Sequence, residues 1–330
     1  MFIVAFLYWE YNELPLKFGP FKKNNNCFVF LDMIHWHKGG CAMNVLMLGG
    51  TRFFGVHTVR ALLRGGHEVT IATRGRTPDG FGRAVKRVTL ERTDPDSMRE
   101  ALKGQHYDAV IDKIAYCSND IRYAMDALDC DRYIYMSTTA VYDPKRMETP
   151  EEDFDGRDGT LVWCDRQDFP YAVVKRHAER ALCQVYPDKP WVAVRYPFVV
   201  GTDDYTRRLH FYVEHVMKGI PMNIDNIDAP MGYIRSDEAG EFMAYLVDRA
   251  FTGAINGCSP GAISLREMLD YIERRTGCRA MLDSAGNAAP YNGEPPYSIQ
   301  TRRAEALGFK FSDVRAWMFT LLDELIAQGR

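Results

Sequence analysis

A tyrosine and a lysine four positions apart, in Tyr171-Ala172-Val173-Val174-Lys175, carry the clearest chemical signal in this chain. On a helix that spacing puts both side chains on one face. A free phenol titrates near ~10, so using it as a base at neutral pH requires about three units, or roughly 4 kcal/mol. A fixed ammonium at ~4 Å, in an effective dielectric of ~20, is worth about that much. Ser137-Thr138-Thr139 closes the apolar run Tyr133–Met136, and a hydroxyl there can orient a substrate oxygen beside the phenol. A lone Tyr-x-x-x-Lys is commonplace. One that follows a Ser/Thr-ended strand, downstream of a glycine-rich turn, is a site candidate.

That turn is Gly49-Gly50-Thr51-Arg52-Phe53-Phe54-Gly55, set between the apolar run Asn44–Leu48 and the helical pattern Val56–Leu63. Glycine permits a tight turn and close backbone approach, and the helix N-terminus offers unpaired N–H groups to a pyrophosphate. Arg52 stands where a middle glycine is usual, which weakens the fingerprint taken alone. After the second strand, Glu68–Ala72, a site for NAD wants a carboxylate for the ribose 2′-hydroxyl. The chain has Thr73-Arg74-Gly75-Arg76 there. Arg74, with Arg52 or Arg76, suits a 2′-phosphate, so NADP is the expected cofactor, ahead of NAD.

Further strand-like runs are Val85–Leu90, Ala109–Ile111, Tyr133–Met136 and Trp191–Val194. Helical patterns at Pro95–Leu102, Asp120–Leu128 and Tyr171–Val185 alternate with them, predicting an α/β fold, a doubly wound parallel sheet of Rossmann type. Beyond about residue 200 the alternation loosens into helices at Leu209–Met217, Ser236–Arg249, Leu265–Thr276, Thr301–Leu307 and Asp313–Ala327. The expected organisation is a dinucleotide-binding domain over 43–200 and a smaller substrate-binding lobe over 201–330. Residues 1–42 lack a sustained period and are expected to be a leader outside the fold. Lys38-Gly39-Gly40, codable by a purine-rich ribosome-binding stretch, lies just ahead of Met43.

The 330 residues are 46% hydrophobic and 26% charged, enough to bury a core and too apolar for general disorder. A net charge of −3 gives no electrostatic reason to bind nucleic acid. No apolar run approaches the ~20 residues of a membrane helix. Eight cysteines without a Cys-x-x-Cys pair argue for free thiols in the cytoplasm and against a zinc site. No metal is expected. His35 and His37 fall in the leader, and Asp225 and Asp228 are expected in a loop. Cys117 and Cys164 are expected as packed thiols. Asp165-Arg166-Gln167-Asp168 either faces substrate or is solvated.

The segments NVLMLGGTRFFG, TRGR, STTAVY, YAVVK and RYPFVVG together resemble the extended or atypical short-chain dehydrogenases/reductases, the NAD-dependent epimerase/dehydratase family. That resemblance implies Tyr171 as acid/base and Lys175 as the group that lowers its pKa and holds the nicotinamide ribose. It implies Thr138, three residues before Val141, as the substrate-orienting hydroxyl. Glu91 falls where an acidic residue contacts adenine, and Pro197 lies beside the nicotinamide amide. A small-molecule substrate and a homodimer through the helices near Asp120–Leu128 and Tyr171–Val185 are also implied. Two departures stand out. Arg52 breaks the glycine pattern, and Met231 replaces the arginine with which nucleotide-sugar enzymes grip a diphosphate, although Arg207, Arg208 or Arg235 could substitute. Thr139-Ala140 replaces the Asp-Glu pair of dehydratases. Reduction or epimerisation at a hydroxyl or ketone is therefore expected, with a sugar or sugar nucleotide as the implied substrate and a non-catalytic NADP- or RNA-binding protein on the same fold as the alternative.

Overall fold

The computed structural model describes residues 42–329, so the expected leader lies almost wholly outside the described residues. Seven parallel strands form the central sheet: β1 (Asn44–Leu48), β2 (Glu68–Thr73), β3 (Lys86–Thr89), β4 (Ala109–Asp112), β5 (Tyr133–Thr138), β6 (Trp191–Tyr196) and β7 (Gly253–Asn256). Their spatial order is β3-β2-β1-β4-β5-β6-β7. The chain winds outward from β1 in one direction, then crosses over and winds the other way from β4. Ligands collect in such sheets at this reversal, beyond the strands' carboxyl ends.

Strand β1 shows why the runs are continuously apolar. Val45 and Met47 enter one core with Phe54, Val59 and Leu62 of α1 (Phe54–Arg64) and with Phe242 and Met243. Leu46 and Leu48 enter the opposite core with Ile121, Ala178 and Leu182. Both faces of the strand are covered, so alternation is lost. The second core belongs to α2 (Pro95–Leu102), α3 (Ser118–Ala127) and α4 (Tyr171–Val185). A third packs α5 (Arg208–Lys218), α7 (Leu265–Thr276) and α8 (Val314–Gln328) around Tyr212, Leu269 and Trp317.

The helix expected over Ser236–Arg249 stops at Tyr245 as α6 (Ser236–Tyr245) and tightens into a 3₁₀ turn. Strand β7 has no counterpart among the expected strands. Its four residues, Gly-Ala-Ile-Asn, are too short and too mixed to carry a period, and they pair with β6 through Ile255 opposite Val194. Thus α6 and β7, both beyond residue 200, complete the sheet domain. Among the described residues no helix is long and apolar enough to cross a membrane.

Candidate active site

The glycine turn leaves the carboxyl end of β1 at the reversal point. Gly49 and Gly50 have φ of 101° and 97°, a region open chiefly to glycine. A Cβ on Gly55 would lie 3.0 Å from both the Gly50 Cα and the Lys113 Cδ, so the turn closes only because that position is bare. Arg52 is accommodated because the unusual conformation falls one residue later. Phe53 has φ 55° and ψ −146°, held there by burial against Phe54 and Tyr205. Phe53 and Phe54 are buried, so they can offer a ligand mainly backbone there, while Thr51 and Arg52 line the cleft.

The cleft beside this turn has a volume of about 570 Å³ and gathers six cations: Arg52, Arg74, Arg76, Lys113, Arg166 and Arg92, the last buried in a pair with Asp112. Glu91 is the carboxylate among its walls, 4.0 Å from the Arg74 guanidinium. Arg52 Nη2 donates to Thr77 Oγ1 at 3.2 Å. A bare-backbone cradle under a cluster of cations suits a phosphate-rich ligand such as a dinucleotide. Pro197 is buried at the break between β6 and the short strand Phe198–Val200.

Lys113 and Arg166 add to the expected set. Lys113 follows β4 at the reversal point; its Nζ donates to the Arg52 carbonyl at 3.2 Å and lies 4.4 Å from the Phe54 ring centroid. Burial brings its pKa down to about 8, with the Asp203 charge opposing and Arg52 reinforcing the shift. Arg166, in the Asp165–Asp168 segment, stacks on Tyr116 at 4.7 Å and donates to Asp120 and to the Ile114 carbonyl. A lone lysine after a strand carries no pattern that sequence could reveal. The segment holding Arg166 was visible, its direction was not.

Thr138, Tyr171 and Lys175 meet at the carboxyl end of β5, where α4 begins with Tyr171 itself. Tyr171 is 46% exposed as a whole, yet its hydroxyl end is crowded. Desolvation pushes the phenol up to about 12, while the hydrogen bond with Thr138 and the charge of Arg208 pull the other way. Lys175 is fully buried and donates to the Ala115 and Met136 carbonyls at 2.9 and 2.8 Å. Burial lowers it to about 7 against the pull of Asp112, Asp120 and Glu179. Its ammonium stands 5.9 Å from the Tyr171 ring centroid.

The remaining candidates resolve simply. Cys117 and Cys164 are buried with Val174, and burial raises the Cys117 thiol to about 12. Asp225 accepts from the Gly293 N–H and Asp228 pairs with Arg266. Met231 is buried. Of the three arginines offered as substitutes for a diphosphate grip, Arg207 is paired with Glu214 and Arg235 with Asp237.

Fold and cleft together define a Rossmann-like α/β protein with a dinucleotide-type cradle. Residues 45–244, more than half of the chain, match the NAD dependent epimerase/dehydratase family, and the protein belongs to that family. It is 30% identical over 129 residues to the chloroplast stem-loop binding protein of 41 kDa b of Arabidopsis thaliana, a match covering 33% of this chain and 34% of that one. It is 34% identical over 103 residues to 2'-dehydrokanamycin reductase of Streptomyces kanamyceticus, covering 31% of this chain and 29% of that protein. The chain thus aligns with about a third of the length of these curated relatives. UDP-glucose 4-epimerase from Brucella ovis, solved in complex with NAD, shares the fold with a TM-score of 0.66 at 21% identity, over 86% of this chain and 99% of that one.

Proposed function

We propose that this protein is an NADP-preferring oxidoreductase or epimerase acting at a hydroxyl or ketone of a small polar substrate, with Tyr171 as acid/base. The observation that carries this reading is the convergence of Thr138, Tyr171 and Lys175 at the strand ends beside the cationic cleft. A bound nicotinamide would supply the hydride donor or acceptor. The glycine turn would hold its phosphates, with Arg52 and Arg74 at a 2′-phosphate.

Tyr171 is protonated at neutral pH because burial holds its pKa near 12. That form donates a proton to a ketone oxygen, which favours the reductive direction. Thr138 orients the same oxygen. Lys175, anchored on two carbonyls, would hold the nicotinamide ribose through its remaining N–H. The 2'-dehydrokanamycin reductase relative supports a reduction.

Fluorescence titration with NADPH and with NADH tests the cofactor reading. The expected outcome is at least tenfold tighter NADPH binding, about 1.4 kcal/mol, erased by Arg74→Ala. Tyr171→Phe should keep that binding and lower turnover by about 10²–10⁴-fold. Preference for NADH overturns the 2′-phosphate assignment, and binding of neither overturns the enzyme reading.

A further inference from the structure

At the amino end of the sheet, opposite Thr138 and the glycine turn, a histidine and three aspartates come together. His106–Tyr107 and Asp129–Cys130 are two-residue strands paired in parallel, with His106 facing Asp129 in register. They lead into β4 and β5. The backbone around them is closely held. The Asp131 N–H donates to the Tyr107 carbonyl at 3.1 Å, and the Asp108 N–H to the Asn44 carbonyl at 3.0 Å. Asn44 returns two bonds, from Nδ2 to the His106 carbonyl at 2.9 Å and from its N–H to Asp108 Oδ2 at 2.6 Å.

The two nitrogens of the imidazole meet different carboxylates. Nδ1 lies 3.2 Å from Asp129 Oδ1, and Nε2 lies 3.4 Å from Asp131 Oδ2. Side-chain ligand atoms of His106, Asp108 and Asp131 all fall within 4.8 Å of one another. Tetrahedral bonds of about 2.0–2.1 Å set neighbouring ligand atoms about 3.4 Å apart, so the Nε2–Asp131 spacing already fits a shared ion. An Nδ1–H donated to Asp129 is the outer contact that fixes ring and tautomer in a carboxylate–histidine–metal arrangement. Asp108, oriented by Asn44, keeps lone pairs for a cation. Among the described residues no lysine or arginine forms an ion pair with any of the three aspartates. The Asp129 hydrogen bond and the Asp131 charge raise the pKa of His106, so a proton stands where a cation would.

We propose that His106, Asp108 and Asp131 bind one divalent transition-metal ion, with zinc the best match, and that Asp129 orients the histidine from behind. One imidazole and two carboxylates make a nitrogen-and-oxygen set that zinc accepts, and the imidazole disfavours magnesium and calcium. His106 and Asp131 are exposed, so the fourth position is open to water. The ion ties the approaches to β4 and β5 together and, through Asn44, the start of β1. It is a staple, remote from Tyr171 and independent of the catalytic reading. The sequence shows no ligand motif here, because the residues come from two separate segments.

The metal-free, tag-free full chain, titrated with ZnCl₂ by calorimetry and with Co²⁺ by visible absorption, tests the site. One equivalent of zinc should bind at micromolar concentration, and saturation should raise the thermal midpoint by about 3 °C or more. His106→Gln and Asp131→Asn should each lose that equivalent. Asp129→Asn should weaken it by about 10–100-fold with the stoichiometry unchanged. All three positions are exposed, so the variants should melt with the metal-free wild type, which separates lost binding from lost folding. Co²⁺ should give d–d bands without the charge-transfer band of a thiolate ligand, and excess Mg²⁺ should not displace it. Zinc binding only at millimolar concentration, binding unchanged in His106→Gln, a thiolate band or displacement by Mg²⁺ each overturns the site.

Discussion

Lys113 holds an ammonium beneath the glycine turn, and among the described residues no carboxylate forms an ion pair with it. Its pKa, near 8, reports that an anion would be welcome there. The sign follows from linkage. Since the folded value lies below that of a free lysine, folding releases protons between about pH 8 and the free-lysine range, and stability rises with pH across that window. A bound phosphate raises the same pKa, so binding takes up a proton and affinity falls as pH rises through 8. NADPH and NADH should therefore both bind several-fold more weakly at pH 9 than at pH 7. Lys113→Met should flatten that dependence equally for the two, and a wild-type affinity independent of pH would refute the role. The Tyr171–Lys175 pair was legible from its spacing, because four residues make one helical turn. The anchoring of Lys175 on carbonyls 60 and 39 residues away in sequence, at Ala115 and Met136, was not. Nor was the left-handed Phe53, whose conformation is imposed by packing.

At the scale of elements, the cradle depends on a close crossing of α1 and α6. A Cβ on Gly240 would fall 2.7 Å from the Phe54 carbonyl and the Thr58 nitrogen, and 2.6 Å from the His57 Cβ. Two of these neighbours are backbone and cannot swing aside. Gly240→Ala should thus destabilise the fold by about 1–3 kcal/mol in urea unfolding, despite alanine's better helix propensity. Since α1 carries the turn at its N-terminus, the same variant should weaken dinucleotide binding. Undiminished stability would mean that the helices can part freely. The glycine at position 240 sits in a run, Ser-Asp-Glu-Ala-Gly-Glu, that reads as an ordinary helix start. What makes it a contact point is its partner nearly two hundred residues upstream, a long-range fact that local periodicity does not encode. Five of the first six strands were legible for the opposite reason, since burial on both faces writes itself into a run of four to six residues; β3, at the sheet edge, is largely exposed.

For the molecule as a whole, three cores divide the work. Two sandwich the sheet, and the third stiffens the lobe that carries Arg208. The buried Arg195–Glu179 pair joins β6 to α4, and Arg195 also donates to the Glu151 and Phe154 carbonyls and the Tyr142 hydroxyl. Ser137, next to Thr138, hydrogen-bonds the same Glu179. The strand end that carries Thr138 is thereby fastened to a loop well outside the cleft.

A chain ended at Val200 retains the glycine turn, Lys113, Thr138, Tyr171 and Lys175, yet lacks α6 and β7. It should bind no dinucleotide in the NADPH titration, and binding at wild-type strength would show the late segments to be dispensable. The α1–α6 crossing therefore also has a meaning in time. During synthesis the turn emerges early but lacks its support until residues past 245 have cleared the ribosome. Until then the nascent chain carries the residues of a phosphate cradle without its shape, and exposes the apolar face of α1 that α6 will cover. Ribosome pausing or truncation in that interval would yield a chaperone client, not a half-active enzyme.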